Sequence, residues 1–380
     1  MAQSSLTRRG WLAASAAGAL SCTHRKATGY LGYCFVANQG GRSVAVVDLN
    51  RFAVRARIAL DAAPGLVIPH PSRPKVFVVA PESGTVYEID AASLSVSRRV
   101  RAGSQAVGAQ LASRRDALWV LYREPAALVE FPLESLRPGR RIRLPGPPDG
   151  FDLSVRGQAA IAIRKTRTIV LASLATASIE RTIEAGADPS LVRYQPLDGK
   201  QLIAGSQPER AVAIFDAASG KAVVRLPVAV APRNFCFDPS GGQLFVTGDG
   251  MDAVVIVFPY STEVDQTILA GRAPGAMAVT DNYLLVANPE TDSVTVLDIA
   301  TRNLVAVVEV GREPRYILIT PDKQYALVLN GKSGELAVIR VYSLGFTPTG
   351  APRLRNKSAP LFTMFGVGEQ PVSAAVVALT

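Results

Sequence analysis

Four arginines stand at fixed offsets around three prolines. Arg233 and Arg315 directly follow Pro232 and Pro314, and Arg272 and Arg312 come two residues before Pro274 and Pro314. A guanidinium offers a planar fork of donors that matches a carboxylate or phosphate through two parallel hydrogen bonds. Cations of this kind gathered at one opening would receive an anionic ligand. The competing reading is internal: Arg312 pairs with Glu313 or another loop acid, and the opening is merely hydrated.

Other constellations that carry chemistry are missing from the sequence. His24 and His70 are its two histidines, one near the start of the chain and one in the turn Pro69-His70-Pro71-Ser72, so no histidine cluster can hold zinc or haem. Cys-x-x-Cys-His, Gly-x-Ser-x-Gly and Gly-x-x-x-x-Gly-Lys-Ser/Thr patterns do not occur. No catalytic residue, metal site or cofactor is therefore assigned. Asp249-Gly250-Met251-Asp252 lacks the spaced carboxylates and distal Glu of a calcium loop and reads as a strand-connecting turn. Arg164-Lys165-Thr166-Arg167 lacks interleaved aromatics and reads as a solvated loop. Cys34 and Cys236 lie in apolar strand patterns far apart and read as small buried hydrophobes.

What must position the arginines is a repeat. Apolar strands open at Cys34, Val76, Leu118, Ala159, Leu202, Leu244, Leu284 and Ala326, at intervals of 42, 42, 41, 43, 42, 40 and 42 residues. A second strand begins nine residues after each opening, and in four units it ends on an acid (Asp48, Asp90, Asp216, Asp298) suited to bonding its own turn. Sixteen residues beyond that position stands Pro64, Pro148, Pro189, Pro232, Pro274 or Pro314, with Ala106 the exception. In the eighth unit the proline is displaced to Pro371 by an insertion at about 345–360, rich in Pro, Gly, Arg and Lys, which reads as a surface loop.

Each unit supplies three strands, a proline-marked turn and a fourth strand, which is the four-stranded blade of a β-propeller. The expected architecture is all-β: one propeller over 34–380 of eight blades, or seven if the divergent unit Leu118–Gln158 is not one. The last strand, Val372 to Ala378, is expected to complete the first blade and remove both open edges. The innermost strand follows the proline, so the proline turns and the loops joining the first two strands of each unit should ring one mouth of the channel, placing Arg233, Arg272, Arg312 and Arg315 together.

The clearest unit, LVANPETDSVTVLDIATRNLVAVVEVGREPRYILITPDKQ from Leu285 to Gln324, resembles the YVTN repeat of extracytoplasmic propellers. The resemblance covers about 34 to 380. It implies the propeller fold but no single activity, because relatives include cell-surface proteins, lactonase-like enzymes and relatives of quinoprotein dehydrogenases. Trp119 is the one tryptophan beyond the leader, so the repeated tryptophans of quinone-cofactor propellers are missing and Trp119 reads as core.

Residues 1–22 read as an export signal. Arg8-Arg9 precede the uncharged run Ala13 to Leu20, a twin-arginine pattern too short to span a bilayer, and Ala19-Leu20-Ser21-Cys22 resembles a lipoprotein box, making Cys22 the lipidation candidate. A short linker, 23–33, follows. The chain carries +10, and loss of Arg8 and Arg9 leaves 39 basic against 31 acidic residues, or +8. That sign favours anionic partners but says nothing about fold.

The expectation is a monomeric, non-catalytic propeller of the periplasm or cell envelope, recognising an anionic small molecule, a glycan or an envelope protein at its channel mouth. Its membrane contact would be through the lipid at Cys22. The first alternative is a lactonase-like or dehydrogenase-like enzyme, to which Asp188, Asn288, Glu290 and Glu369 would contribute. Nucleic-acid binding would need a continuous basic face and is not the expected role.

Overall fold

The computed structural model describes residues 29–186, 188–344 and 360–379. The expected export signal, Cys22 and nearly all of the insertion lie outside the described residues. Within them, eight four-stranded sheets form the eight blades of one propeller. Blade 2 shows the pattern: Leu66–Pro69 is innermost, followed outward by Lys75–Ala80, Thr85–Asp90 and Ser95–Arg101.

The middle strands are uninterrupted apolar runs because each blade is covered on both faces. In Lys75–Ala80, Val76 and Val78 pack against Phe35 and Val46 of blade 1, while the alternate residues Phe77 and Val79 pack against Leu118 and Val120 of blade 3. Burying a side chain such as Phe35 or Phe77, both fully inaccessible, stabilises by roughly 2 kcal/mol. The outermost strand has one face against a neighbour and one in water, and Ser95–Arg101 accordingly alternates between exposed and half-buried positions.

Closure follows the sequence expectation. Pro371–Ala378 is the innermost strand of blade 1 and pairs with Gly32–Asn38 in the register Cys34↔Val376 and Val36↔Ala374. A chain end separated by more than 300 residues from its partner thereby seals both edges of the ring.

The unit Leu118–Gln158, where the count was least secure, folds as blade 3 plus the start of blade 4. The outermost strand of blade 3 is cut to Arg141–Arg143. The proline turns differ slightly from expectation. Pro189, Pro314 and Pro371 are the first residues of their inner strands, not turn residues before them, a place where a missing N–H costs no ladder bond.

The acidic strand endings are turn residues, as read. Asp48 accepts the backbone N–H of Asn50 at 2.9 Å, Asp90 that of Ser93 at 2.9 Å, Asp216 that of Ser219 at 2.7 Å and Asp298 that of Thr301 at 2.7 Å. The turn bonds hold the Asp90 and Asp216 carboxyls below the usual carboxylate range.

Candidate functional site

Immediately after the proline position the inner strand skips one residue of the ladder. The register shifts between Pro232 and Asn234 and between Pro314 and Tyr316, leaving Arg233 and Arg315 as the unpaired bulge residues. A bulge re-aims the extra side chain. Both arginines are exposed on the face that carries the proline turns and the loops between second and third strands of each blade.

On that face, between blades 7, 8 and 1, lies a hollow of about 1270 Å³. Arg57, Arg312, Arg315 and Lys332 line it together with Glu290, Asp292, Glu313 and Glu369. Its floor and rim include Gly331, Gly334, Gly366 and Gly368, which expose backbone to whatever enters.

Two of the four mouth arginines, Arg312 and Arg315, are thus brought together, while Arg233 and Arg272 belong to blades 6 and 7 and do not line the hollow. Arg233 forms an exposed ion pair with Asp249 at 2.5 Å. Arg315 pairs with Glu313. The acid read as a partner for Arg312 is therefore taken by Arg315, because the bulge swings Arg315 back over the turn.

The remaining charges fall into two groups. Asp292 accepts the backbone N–H of Glu313 at 2.8 Å, and Arg57 donates to the Val367 carbonyl. Among the described residues Arg312, Lys332, Glu290 and Glu369 have exposed side chains with no bonding partner. The backbone of Arg312 is nevertheless fixed, since its N–H donates to Ser333 Oγ at 3.0 Å. The hollow thus holds two free cations and two free carboxylates.

The loops bounding this face rest on a device that sequence reading did not single out. Asn38, Asn288 and Asn330 end the second strands of blades 1, 7 and 8 and are wholly buried. Asn38 Nδ2 donates to the Val367 carbonyl at 3.0 Å, and Asn288 Nδ2 to Thr295 Oγ1 at 2.9 Å. The turn passes so close that a Cβ on Gly271 would stand 2.5 Å from Asn288 Cγ, and one on Gly311 would stand 2.5 Å from Asn330 Nδ2. The recurrence of Val-Ala-Asn or Val-Leu-Asn after Gly-x-x-Pro in blades 7 and 8 (Gly271–Pro274 before Asn288, Gly311–Pro314 before Asn330) was the available signal. Asn288 thus packs beneath the turn into blade 7 and donates to the same Thr295 hydroxyl that accepts from Gly271 N. Asp188, a further enzyme candidate, sits far round the ring in an ion pair with Arg167 at 3.4 Å.

Other singled-out residues take structural places. His70 Nδ1 accepts the backbone N–H groups of Ser72 and Arg73, a turn cap. Asp252 accepts from Ala273 N at 2.9 Å within the turn first weighed as a calcium loop. Trp119 is 1% exposed, and burial pushes the Cys34 thiol up to about 12 and Cys236 to about 11. Arg164 bonds Asp149 on the loop face. Among the described residues no three His, Cys, Asp or Glu side chains are grouped as a metal site requires.

A second hollow, of about 850 Å³, opens on the opposite face between blades 3, 4 and 5. Its central charges are internally engaged: Arg140 pairs with Glu130, lies 5.8 Å from the Trp119 ring centroid and donates to the Ala175 carbonyl at 2.9 Å. This hollow is a seam between blades.

Comparison with known proteins agrees with the propeller reading. Residues 218–345 match the family model described as lactonase, seven-bladed β-propeller. The seven-bladed β-propeller protein Rv1057 of Mycobacterium tuberculosis is 29% identical over 133 residues, which span 33% of this chain and 34% of that protein. Among solved structures, the dihydro-heme d1 dehydrogenase NirN in complex with DHE superposes with a TM-score of 0.75 at 15% identity, over 91% of this chain and 75% of that one. Hydrazine synthase of Kuenenia stuttgartiensis gives 0.59 at 20% identity, over 74% and 96%. The Cps50 (Swd1) propeller domain of Myceliophteria thermophila gives 0.60 at 14%, over 73% and 96%. These structural likenesses establish the propeller fold. The matched stretch 218–345 is a third of the chain, whereas this ring has eight blades.

Proposed function

We propose that this chain is an exported, monomeric binding propeller of the cell envelope, held there by a lipid at Cys22, and that the hollow between blades 7, 8 and 1 receives a small ligand with an anionic group. The observation that carries this reading is the pair Arg312 and Lys332. They stand at one hollow from adjacent loops, lack carboxylate partners among the described residues and flank glycine-rich backbone. A phosphate or carboxylate would accept charge-assisted hydrogen bonds from both. Glu290 and Glu369 on the same hollow would accept hydrogen bonds from hydroxyl or amino groups of that ligand, so a polar, multifunctional molecule fits better than a bare anion.

Thermal shift across phosphorylated and carboxylated metabolites tests the proposal. A cognate ligand at a hundred times its Kd stabilises by about 2.7 kcal/mol. Arg312→Ala combined with Lys332→Ala should abolish that stabilisation and leave the melting of the free protein unchanged. Arg233→Ala should leave it intact, because Arg233 is engaged with Asp249 outside the hollow. If no anion stabilises the wild type, or the double variant responds equally, the site reading fails.

One observation favours an enzymatic alternative. The stretch that matches the lactonase family model contains Glu290, Arg312 and Lys332 of this hollow. Ring opening of a lactone, followed by NMR and lost in Glu290→Gln or Glu369→Gln, would move the reading from binding to hydrolysis.

A further inference from the structure

The described chain enters the ring on the face opposite the hollow. Gly29 lies so tightly on the turn 49–52 of blade 1 that a Cβ there would stand 1.9 Å from the Leu49 carbonyl oxygen and 2.9 Å from Phe52 Cε2. Phe52 in turn meets Tyr325 and Phe362 of blade 8 edge-on, each with ring centroids 5.1 Å apart, and Tyr325 meets Tyr342 at 6.4 Å. An aromatic cluster thus borders the point where residues 1–28 join the propeller.

Around that point several large apolar side chains are exposed among the described residues. Leu31 is 67% exposed, Tyr342 41%, Leu379 40% and Phe362 36%. Leu31 and Leu379 are tied together by a backbone bond from Leu379 N to the Leu31 carbonyl at 3.2 Å. Single exposed apolar side chains need no explanation, but a group of them next to an aromatic cluster does. Two cations frame the group: Arg340 lies 3.9 Å over the Phe362 ring, and Arg51 is exposed on the entry turn. Neighbouring Asp48 and Asp322 are occupied, the first by the N–H groups of Asn50 and Arg51, the second by the Thr320 hydroxyl at 2.6 Å.

We propose that this patch seats on a phospholipid surface. The argument for that occupant is the tether. Six residues separate Cys22 from Gly29, and the seven steps between them, even fully extended, reach only about 25 Å. A lipid chain at Cys22 therefore keeps the patch beside the bilayer. Exposed aromatic and leucine side chains flanked by arginine match the interfacial region, where rings sit at headgroup depth and guanidinium meets phosphate. In this pose the hollow of blades 7, 8 and 1 opens away from the bilayer. The orientation rests on the proposed anchor at Cys22, whereas the affinity of the patch for lipid does not.

The test uses the processed protein with vesicles of phosphatidylethanolamine and phosphatidylglycerol carrying brominated acyl chains, which quench nearby tryptophan. Trp119 is buried and supplies a constant background. Tyr342→Trp, and independently Leu379→Trp should the first fold poorly, is expected to lose emission on the vesicles. Val223→Trp, on the outermost strand of blade 5 at a 52% exposed position, should keep its emission. Mass measurement of the N-terminal peptide reports separately whether Cys22 carries lipid. Lipidated protein that binds vesicles without quenching at Tyr342→Trp or Leu379→Trp overturns the surface and leaves the anchor standing. Unlipidated protein that is quenched on added vesicles removes the anchor and supports the surface. Absence of both sinks both.

Discussion

The outermost strands of the ring share one equivalent position, and its occupant changes round the molecule: arginine in blades 1, 2, 3 and 5, threonine (Thr182, Thr267) in blades 4 and 6, and valine or methionine in blades 7 and 8. Opposite Ala45, Tyr87, Val129 and Ala213 stand Arg57, Arg99, Arg141 and Arg225 in blades 1, 2, 3 and 5. Opposite Thr295 and Ala337 in blades 7 and 8 stand Val307 and Met364. Each arginine reaches the turn that leads into its own blade: Arg57 to the Val367 carbonyl, Arg99 to Asp61 at 2.5 Å, Arg141 to the Ala102 carbonyl at 3.2 Å and Arg225 to the Ala185 carbonyl at 2.6 Å. The turns into blades 7 and 8 are held by short polar side chains instead, Thr295 for Gly271 N and Ser333 for Arg312 N. The lesson concerns what a cation is for. In blades 1, 2, 3 and 5, guanidinium groups are consumed as clamps on the turns, three on backbone carbonyls and Arg99 on Asp61; on the arc of blades 7 and 8, Arg312 and Lys332 remain free to meet a ligand.

Breaking closure should have the largest effect and should not discriminate between arcs. Deleting residues 372–380 removes the inner strand of blade 1 and exposes the edge Gly32–Asn38. Cooperative thermal unfolding should be lost and aggregation should replace it. A truncated protein melting at the wild-type temperature would show that the ring does not need the shared blade.

A second, smaller effect belongs to the clamped arc. Glu88, 1% exposed, accepts from Lys75 at 2.8 Å, from Ser97 at 2.6 Å and from Arg98. Burial pushes its carboxyl up, but the bonds from Arg98, Lys75 and Ser97 outweigh burial and hold it at about 2. A depressed folded pKa contributes stability above the unfolded value of 4.5 that drains away as pH falls toward 2. Glu88→Gln should cost about 3 kcal/mol at neutral pH, by leaving two cations without their carboxylate, and should flatten the acid limb of the stability profile. Urea midpoints between pH 2 and 5 would measure both; an unchanged acid limb would remove Glu88 as its source.

How much of this was legible in the sequence follows from distance along the chain. Blade number, strand order and closure were readable because a period near 42 is a property of the chain itself and alternate residues of each strand serve neighbouring blades. The clamps were not. Arg57 and Val367 are separated by 310 residues, and no local pattern links an outer-strand arginine to a turn in another part of the ring. Arg315 and Glu313 illustrate a subtler failure: two residues apart, they pair because a bulge turns Arg315 back, whereas spacing alone suggested Arg312 as the partner. The half-buried Asp152, on the inner strand of blade 4, was also invisible. It is held by Gln110 Nε2 at 3.1 Å and Tyr194 N at 2.7 Å, and burial pushes its carboxyl upward. Such inter-blade networks depend on register, which the repeat length does not specify.

The contrast between arcs sharpens most finely through single clamps. Arg141→Ala removes one charge-assisted bond to the Ala102 carbonyl from an exposed site and should cost up to about 1 kcal/mol. Arg225→Ala, which loses both the Ala185 carbonyl and Glu209, should cost somewhat more. On the other arc Val307, 57% exposed, has no clamp to lose, and Val307→Ala should change stability by less than about 0.5 kcal/mol. Hydrogen exchange of the turn into each blade reports more directly than global melting, because a clamp acts locally. Faster exchange around 102–105 in Arg141→Ala, with no change around 271–274 in Val307→Ala, is the expected outcome. If both variants exchange alike, the arginines are solvated rim residues, and the division of the ring into clamped and open arcs has no energetic basis.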